Sequence, residues 1–295
     1  MLQPFSLVKA KSIDDAVELK AKLGEDAAYY AGGTELLQVL KEGMLEYENL
    51  ISLRSLIELN FIEIDEENKR LRIGALSTHA EIANSPIVQK YQPTLAQLEN
   101  NIGNIRIRTA GTIGGNLAFA EPRSDPGAYL VAAEADINTI SAKGTRQIPM
   151  SDFWLGPFET ALEEGEMITS IEVPFLSERT GASYHKFSIV EFPMAGVAAV
   201  LRLDPNLETI TDSKIVVAAT NPIPTRLTTM EALLVGKSIE VVEKEIDWWV
   251  EGITPEMDAV DDNDGSAEYK THVVASLLRV AVEEAFIKGK EGIES

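Results

Sequence analysis

Short apolar runs alternate with helical periodicity along the first sixty residues. Residues 5–8 read as a strand, and Ser12 with Asp15 three positions on opens a helix-capping pattern. Apolar positions at Ala16, Val17, Leu19, Ala21 and Leu23 keep helical spacing up to Gly24, which ends the helix. A strand over 27–31 runs into the pair Gly32-Gly33 and a helix over 34–43, with Thr34 placed to cap it. A further strand covers 49–53. Residues 61–64 and 70–73 alternate apolar and polar on either side of 65–69, which predicts a hairpin. Helical stretches at 80–84 and 94–101 are followed by a glycine-rich segment, 103–116. Asp125 opens an apolar helix to 135, a second hairpin turns at Lys143-Gly144, and a strand spans 167–174.

Residues 176–181 read as a joint. Beyond it come three strand-like runs, 183–189, 195–203 and 214–219, and then three helices, the last over 267–286. Strands first and helices after predict an α+β unit. The acidic, glycine-bearing stretch 258–266 reads as an exposed loop. No internal repeat is visible.

Composition narrows the chemistry. The 295 residues suffice for two domains, and 45% hydrophobic with 25% charged residues is ordinary for a globular chain. No apolar run reaches the length of a membrane span, and the opening MLQPFSLVKA lacks the pattern of a secretory leader, so a cytoplasmic protein is expected. The chain has no cysteine, which excludes disulfides, thiolate nucleophiles and iron–sulfur clusters held here by cysteine. His79, His185 and His272 show no metal-ligand spacing and are expected at the surface or behind a site. A net charge of −21 speaks against nucleic acid or an anionic membrane as partner. Any electron transfer would need an organic cofactor.

Two glycine motifs stand out. Tyr30-Ala31-Gly32-Gly33-Thr34-Glu35-Leu36 follows a strand and opens a helix, where backbone N–H groups can face an anion. Gly111-Thr112-Ile113-Gly114-Gly115-Asn116 has the same chemistry, with Ser124 and Asp125 nearby to bond hydroxyls. Either could be a plain turn. Neither matches the dinucleotide or P-loop pattern, and together they point to a diphosphate held between two subdomains.

These strings, with 73–82 (IGALSTHAEI), Ile107-Arg108, Ser124-Asp125, Tyr184-His185-Lys186-Phe187 and 265–270 (GSAEYK), resemble the medium, FAD-binding subunit of the molybdenum hydroxylases. The resemblance spans nearly the whole chain. It implies an α+β protein: a two-subdomain FAD domain of the vanillyl-oxidase (PCMH) type over 1–176, divided into 1–57 and 58–176. A C-terminal domain over 182–289, with a three-stranded antiparallel sheet and helices, would follow. It also implies noncovalent FAD, with Tyr29, Tyr30, Ala31, Gly32, Gly33, Thr34, Glu35 and Leu36 on one side of the pyrophosphate. Thr112, Ile113, Gly114, Gly115 and Asn116 would lie on the other, and Asp125 would bind a cofactor hydroxyl. Ile102 and Ile168 match positions that touch the cofactor, Lys186 a lysine near it, and Phe192 the aromatic residue covering one flavin face.

Molybdopterin and two [2Fe–2S] clusters would reside in partner subunits, a large and a small chain, assembled as a dimer of heterotrimers. The flavin joins one-electron clusters to a two-electron acceptor such as NAD or another carrier. The sequence departs from the family at Asn104-Ile105-Arg106, at Thr109, and around Val190-Glu191-Phe192-Pro193, where basic residues are missing. The last departure bears on the electron acceptor. Some relatives, the hydroxybenzoyl-CoA reductases, add a cluster on a cysteine-bearing insertion; a chain without cysteine cannot. The rival readings are a self-contained flavin oxidase and a scaffold subunit that has lost its flavin.

Overall fold

The computed structural model describes residues 3–188, 192–253 and 256–292. Its chain builds three sheets that matter for the site. The first is parallel, in the order Ser6–Lys9, Asn49–Ser52, Ala27–Tyr30. The helices Ile13–Leu23 and Leu36–Glu42 make its crossovers. Ser12 caps the first helix as predicted, its hydroxyl accepting from Asp15 N–H at 3.1 Å. The second helix differs: it begins at Leu36 with Glu35 as N-cap, and no side chain caps it. Thr34 therefore lies in the turn before the helix and leaves the loop's N–H groups uncapped.

The second sheet has five antiparallel strands in the order Ile62–Asp65, Arg70–Gly74, Met167–Pro174, Asp136–Ser141, Gly144–Pro149. Both predicted hairpins are present in it. The glycine-rich segment 103–116 contains one short helix, Ile105–Ala110, and the start of another, Ile113–Phe119. Asn104 caps the first through Arg106 and Ile107 N–H, and Thr112 caps the second through Gly115 N–H at 3.1 Å.

The third sheet runs Thr180–Ser188, Pro193–Leu203, Ile210–Ala218, Thr225–Arg226, so a two-residue strand joins the edge of the three expected ones. Both its faces are buried, by different partners. On Pro193–Leu203, Ala195, Val197, Ala199, Leu201 and Leu203 face a core shared with the helices Thr228–Leu234, Ile239–Ile253 and Ala267–Glu291. The opposite face, with Ala182, Ala198, Val216 and Ala218, packs into the large core around Ala128 and Tyr129 of the Asp125–Ala132 helix. Alternate residues of one strand thus serve two cores, as a period of two demands. Small side chains on the inner face bring that helix close to the sheet. The helix begins at Asp125, so its start, its packing and the cavity beside it are fixed together.

Candidate cofactor site

A cavity of about 490 Å³ opens between the sheets. Sites for small molecules and cofactors span about 300–1,000 Å³. One wall is the 31–36 turn of the parallel sheet. The other is the start of the Ile113–Phe119 helix and the 123–126 turn; Ile168 of the five-stranded sheet and Phe192, just before the Pro193–Leu203 strand, also line the cavity. The two glycine motifs, 79 residues apart in sequence at Gly32 and Gly111, touch: a Cβ on Gly32 would stand 2.1 Å from the Ala110 carbonyl oxygen. Only glycine permits this approach. Gly33 has φ +75°, the left-handed region that favours glycine.

The polar atoms of the cavity divide by kind. The N–H groups of Gly33, Thr34 and Glu35 have no protein acceptor among the described residues, which leaves three consecutive donors at a turn. Opposite them, Thr112 is spent on its own helix, while Asn116 Oδ1 accepts from the Ser124 hydroxyl at 2.6 Å. Asp125 is 5% exposed, and its two oxygens accept from Tyr184 Oη at 2.6 Å and Lys186 Nζ at 2.5 Å. Burial pushes the Asp125 carboxyl above the ordinary range, and the Lys186 ammonium and Tyr184 hydroxyl pull it back. Burial raises Glu35 as well, and the carboxylate of Glu121 adds to this, against the opposing pull of Arg123.

Of the residues expected at a site, Tyr29, Ala31, Gly32, Gly33, Thr34, Glu35, Leu36, Ile102, Thr112, Gly114, Gly115, Asn116, Asp125, Ile168 and Phe192 line this one cavity. Three stand behind it. Tyr30 lies under the turn, its ring 2.4 Å from where a Gly33 Cβ would be. Ile113 is 1% exposed in the core. Lys186 is turned onto Asp125 and donates a second bond to the Asn101 carbonyl at 3.1 Å. Val190 and Glu191, in the stretch that departs from the family, lie outside the described residues.

Three features escaped the sequence reading. His79 lies in the cavity wall, 2% exposed, with Nδ1 2.5 Å from Glu99 Oε2, so a histidine does stand at the site. Arg123 stacks 4.4 Å over the Phe192 ring and pairs with Glu121 at 2.9 Å and Asp264 at 3.6 Å. Through Asp264 the loop expected to be merely exposed reaches the cavity, and buried Lys270 anchors it to Asp262 at 2.5 Å. Third, Glu166 lines the wall as a fully bonded carboxylate, held by Arg146 and Thr139. The arginine–phenylalanine contact had no local signal, because its members are 69 positions apart.

This donor set fits a flavin dinucleotide. Free N–H groups at a glycine turn suit a diphosphate, the Asp125 carboxylate and Asn116 amide suit hydroxyls, and Ile102, Ile168, Met167 and Phe158 supply apolar walls. Comparisons with known proteins agree. Residues 3–176 match the family profile for the FAD binding domain in molybdopterin dehydrogenase, and 185–285 that for the CO dehydrogenase flavoprotein C-terminal domain. The carbon monoxide dehydrogenase medium chain of Hydrogenophaga pseudoflava is 34% identical over 98% of this chain and 99% of its own. The glyceraldehyde dehydrogenase medium chain of Sulfolobus acidocaldarius is 31% identical, over 95% and 98%. A solved carbon monoxide dehydrogenase from Hydrogenophaga pseudoflava superposes with a TM-score of 0.92 at 30% identity, over 97% of this chain and 99% of that one. Profile, relatives, fold and cavity agree that this chain belongs to the family of FAD-binding medium subunits of the molybdenum hydroxylases, oxidoreductases of the carbon monoxide and xanthine dehydrogenase type.

Proposed function

We propose that the cavity holds one noncovalent FAD, and that the chain passes electrons from the [2Fe–2S] clusters of a small partner subunit to an external acceptor. The observation that supports this best is the contact between the two glycine motifs, which puts free N–H donors and the Asp125 carboxylate on facing walls of one cavity. FAD, when bound, accepts and returns electrons singly or in pairs, which joins iron–sulfur clusters to a two-electron acceptor such as NAD. This chain's own residues bind and orient. The 33–35 turn and the 112–116 turn would hold the diphosphate, and Asp125 a hydroxyl of the cofactor. Ile102, Ile168 and Phe192 would exclude water from the ring. Lys186 acts through Asp125, to which its charge is committed.

The relatives' names as medium chains support a large and a small partner; a large subunit with molybdopterin would oxidise the substrate, and the proposed assembly is a dimer of such heterotrimers. Residues 1–176, as subdomains 1–57 and 58–176, would form the FAD domain and 182–289 the C-terminal domain. No helix among the described residues is long and apolar enough to cross a membrane. The test is acid precipitation of purified chain. About one flavin per chain should appear in the supernatant; flavin retained in the pellet would mean a covalent bond, with His79 the first candidate, and a colourless protein that takes up no FAD would leave the scaffold reading.

A further inference from the structure

We infer that Tyr184 is a positioning residue for the cofactor: with Lys186 it fixes the Asp125 carboxylate at the cavity wall, so the C-terminal sheet sets how tightly the cofactor is held. The inference rests on the reading that the cavity binds FAD.

Tyr184 does not line the cavity; it reaches the site only through Asp125. Tyr184 and Lys186 are two apart on the Thr180–Ser188 strand and so share a face. Both side chains point at the first residue of the Asp125–Ala132 helix, and each takes one carboxylate oxygen. The strand alongside is built for this. Ala198 stands opposite Tyr184 and Gly196 opposite Lys186. A Cβ on Gly196 would lie 2.5 Å from the Tyr184 hydroxyl oxygen, so glycine there leaves the phenol its place. Burial and the neighbouring carboxylate push the Tyr184 phenol well above its ordinary range, which keeps it a donor.

The Lys186 ammonium adds a third tie. It bonds the Asn101 carbonyl, next to Ile102 and Gly103 of the wall. One strand of the C-terminal sheet therefore holds two separate pieces of the cavity. The plain alternative is a core tyrosine, since its ring packs against the large core. The two differ in one respect: a packing role is independent of Asp125, a positioning role is not.

The experiment is a double-mutant cycle on the FAD dissociation constant, measured by flavin fluorescence with flavin-stripped chain. Tyr184→Phe, Asp125→Asn and the double variant are compared with the parent. Tyr184→Phe should weaken FAD binding about tenfold, because the Asp125 carboxylate loses one of the two donors that fix it for the cofactor. In the Asp125→Asn background the same change should cost less than about twofold, because the partner charge is gone. Gly196→Ala, which touches neither Asp125 nor the cavity, should reproduce both results by displacing the phenol; it carries the test if Tyr184→Phe does not fold. Unchanged affinity in Tyr184→Phe, or the same loss in both backgrounds, overturns the inference. A parent chain that binds no FAD overturns the cofactor reading instead, and the two failures are distinct.

Discussion

Gly114 has a protein neighbour where the sequence alone would put a ligand. A Cβ there would stand 2.6 Å from the Ala75 Cβ and 2.8 Å from its carbonyl oxygen. The glycine motif is thus needed for packing as well as for any diphosphate. Gly114→Val should lower the stability of flavin-free chain by about 1–3 kcal/mol, the usual cost of overpacking, and lose FAD with it. Denaturant titration of the flavin-free form checks this; unchanged stability would restore a purely ligand-facing role. His79 illustrates the opposite limit. Its local string, Thr78-His79-Ala80-Glu81, reads as a helix start, and Thr78 and Glu81 do form a capping box. Nothing local shows that the ring is buried against Glu99, twenty positions on. Removing one member of a buried pair typically costs about 3–5 kcal/mol. His79→Leu should therefore destabilise the chain more than the double change His79→Leu with Glu99→Leu, in denaturant midpoints. A double change whose loss is the sum of the two single losses would show that the pair is not coupled.

Elements whose pattern is local were legible, and those set by distant partners were not. The hairpins around 65–69 and 143–144 follow from alternation that their own residues carry. The segment 103–116 reads as loop because its glycines outweigh propensity, yet Asn104 and Thr112 cap two short helices within and beyond it. The second hairpin is also fastened to the cavity by Glu166, whose side chain is 3% exposed. Burial alone would raise its pKa. Two Arg146 bonds of 2.6 Å, with Thr139 and the Glu163 N–H, outweigh that and bring it down to about 2. The folded value lies below the unfolded one, about 4.3. The clamp therefore contributes fully above that pH and loses its contribution as pH falls toward about 2. Glu166→Gln should cost on the order of 1 kcal/mol at neutral pH, less than the full linkage because the Arg146 side chain is 40% exposed and water screens the pair. The gap between variant and parent melting curves should narrow between about pH 4.5 and 2. A gap that stays constant with pH would mean that the carboxylate charge does no work there.

At the scale of the whole molecule, the fold class and the pairing of the two glycine motifs were readable because the first motif keeps its own strand, turn and helix and the second repeats its glycines and hydroxyl. The position of Lys186 was not, since it depends on how the third sheet meets the Asp125 helix. The sheet buries both faces, so the C-terminal region is built into the cavity wall and does not hang beside it. With no cysteine to ligate a cluster and no pterin-binding motif in its sequence, the chain is expected to turn over no organic substrate alone. The decisive measurement is anaerobic flavin absorbance after adding the complex's organic substrate, with the chain alone and after mixing with the molybdenum and iron–sulfur subunits. The flavin band should stay unchanged in the first case and bleach in the second. Asp125→Ala should lose flavin and its bleaching while the iron–sulfur bands still respond. Bleaching of the lone chain by that substrate, or a complete complex whose clusters are reduced while its flavin never is, would contradict the electron-carrier function.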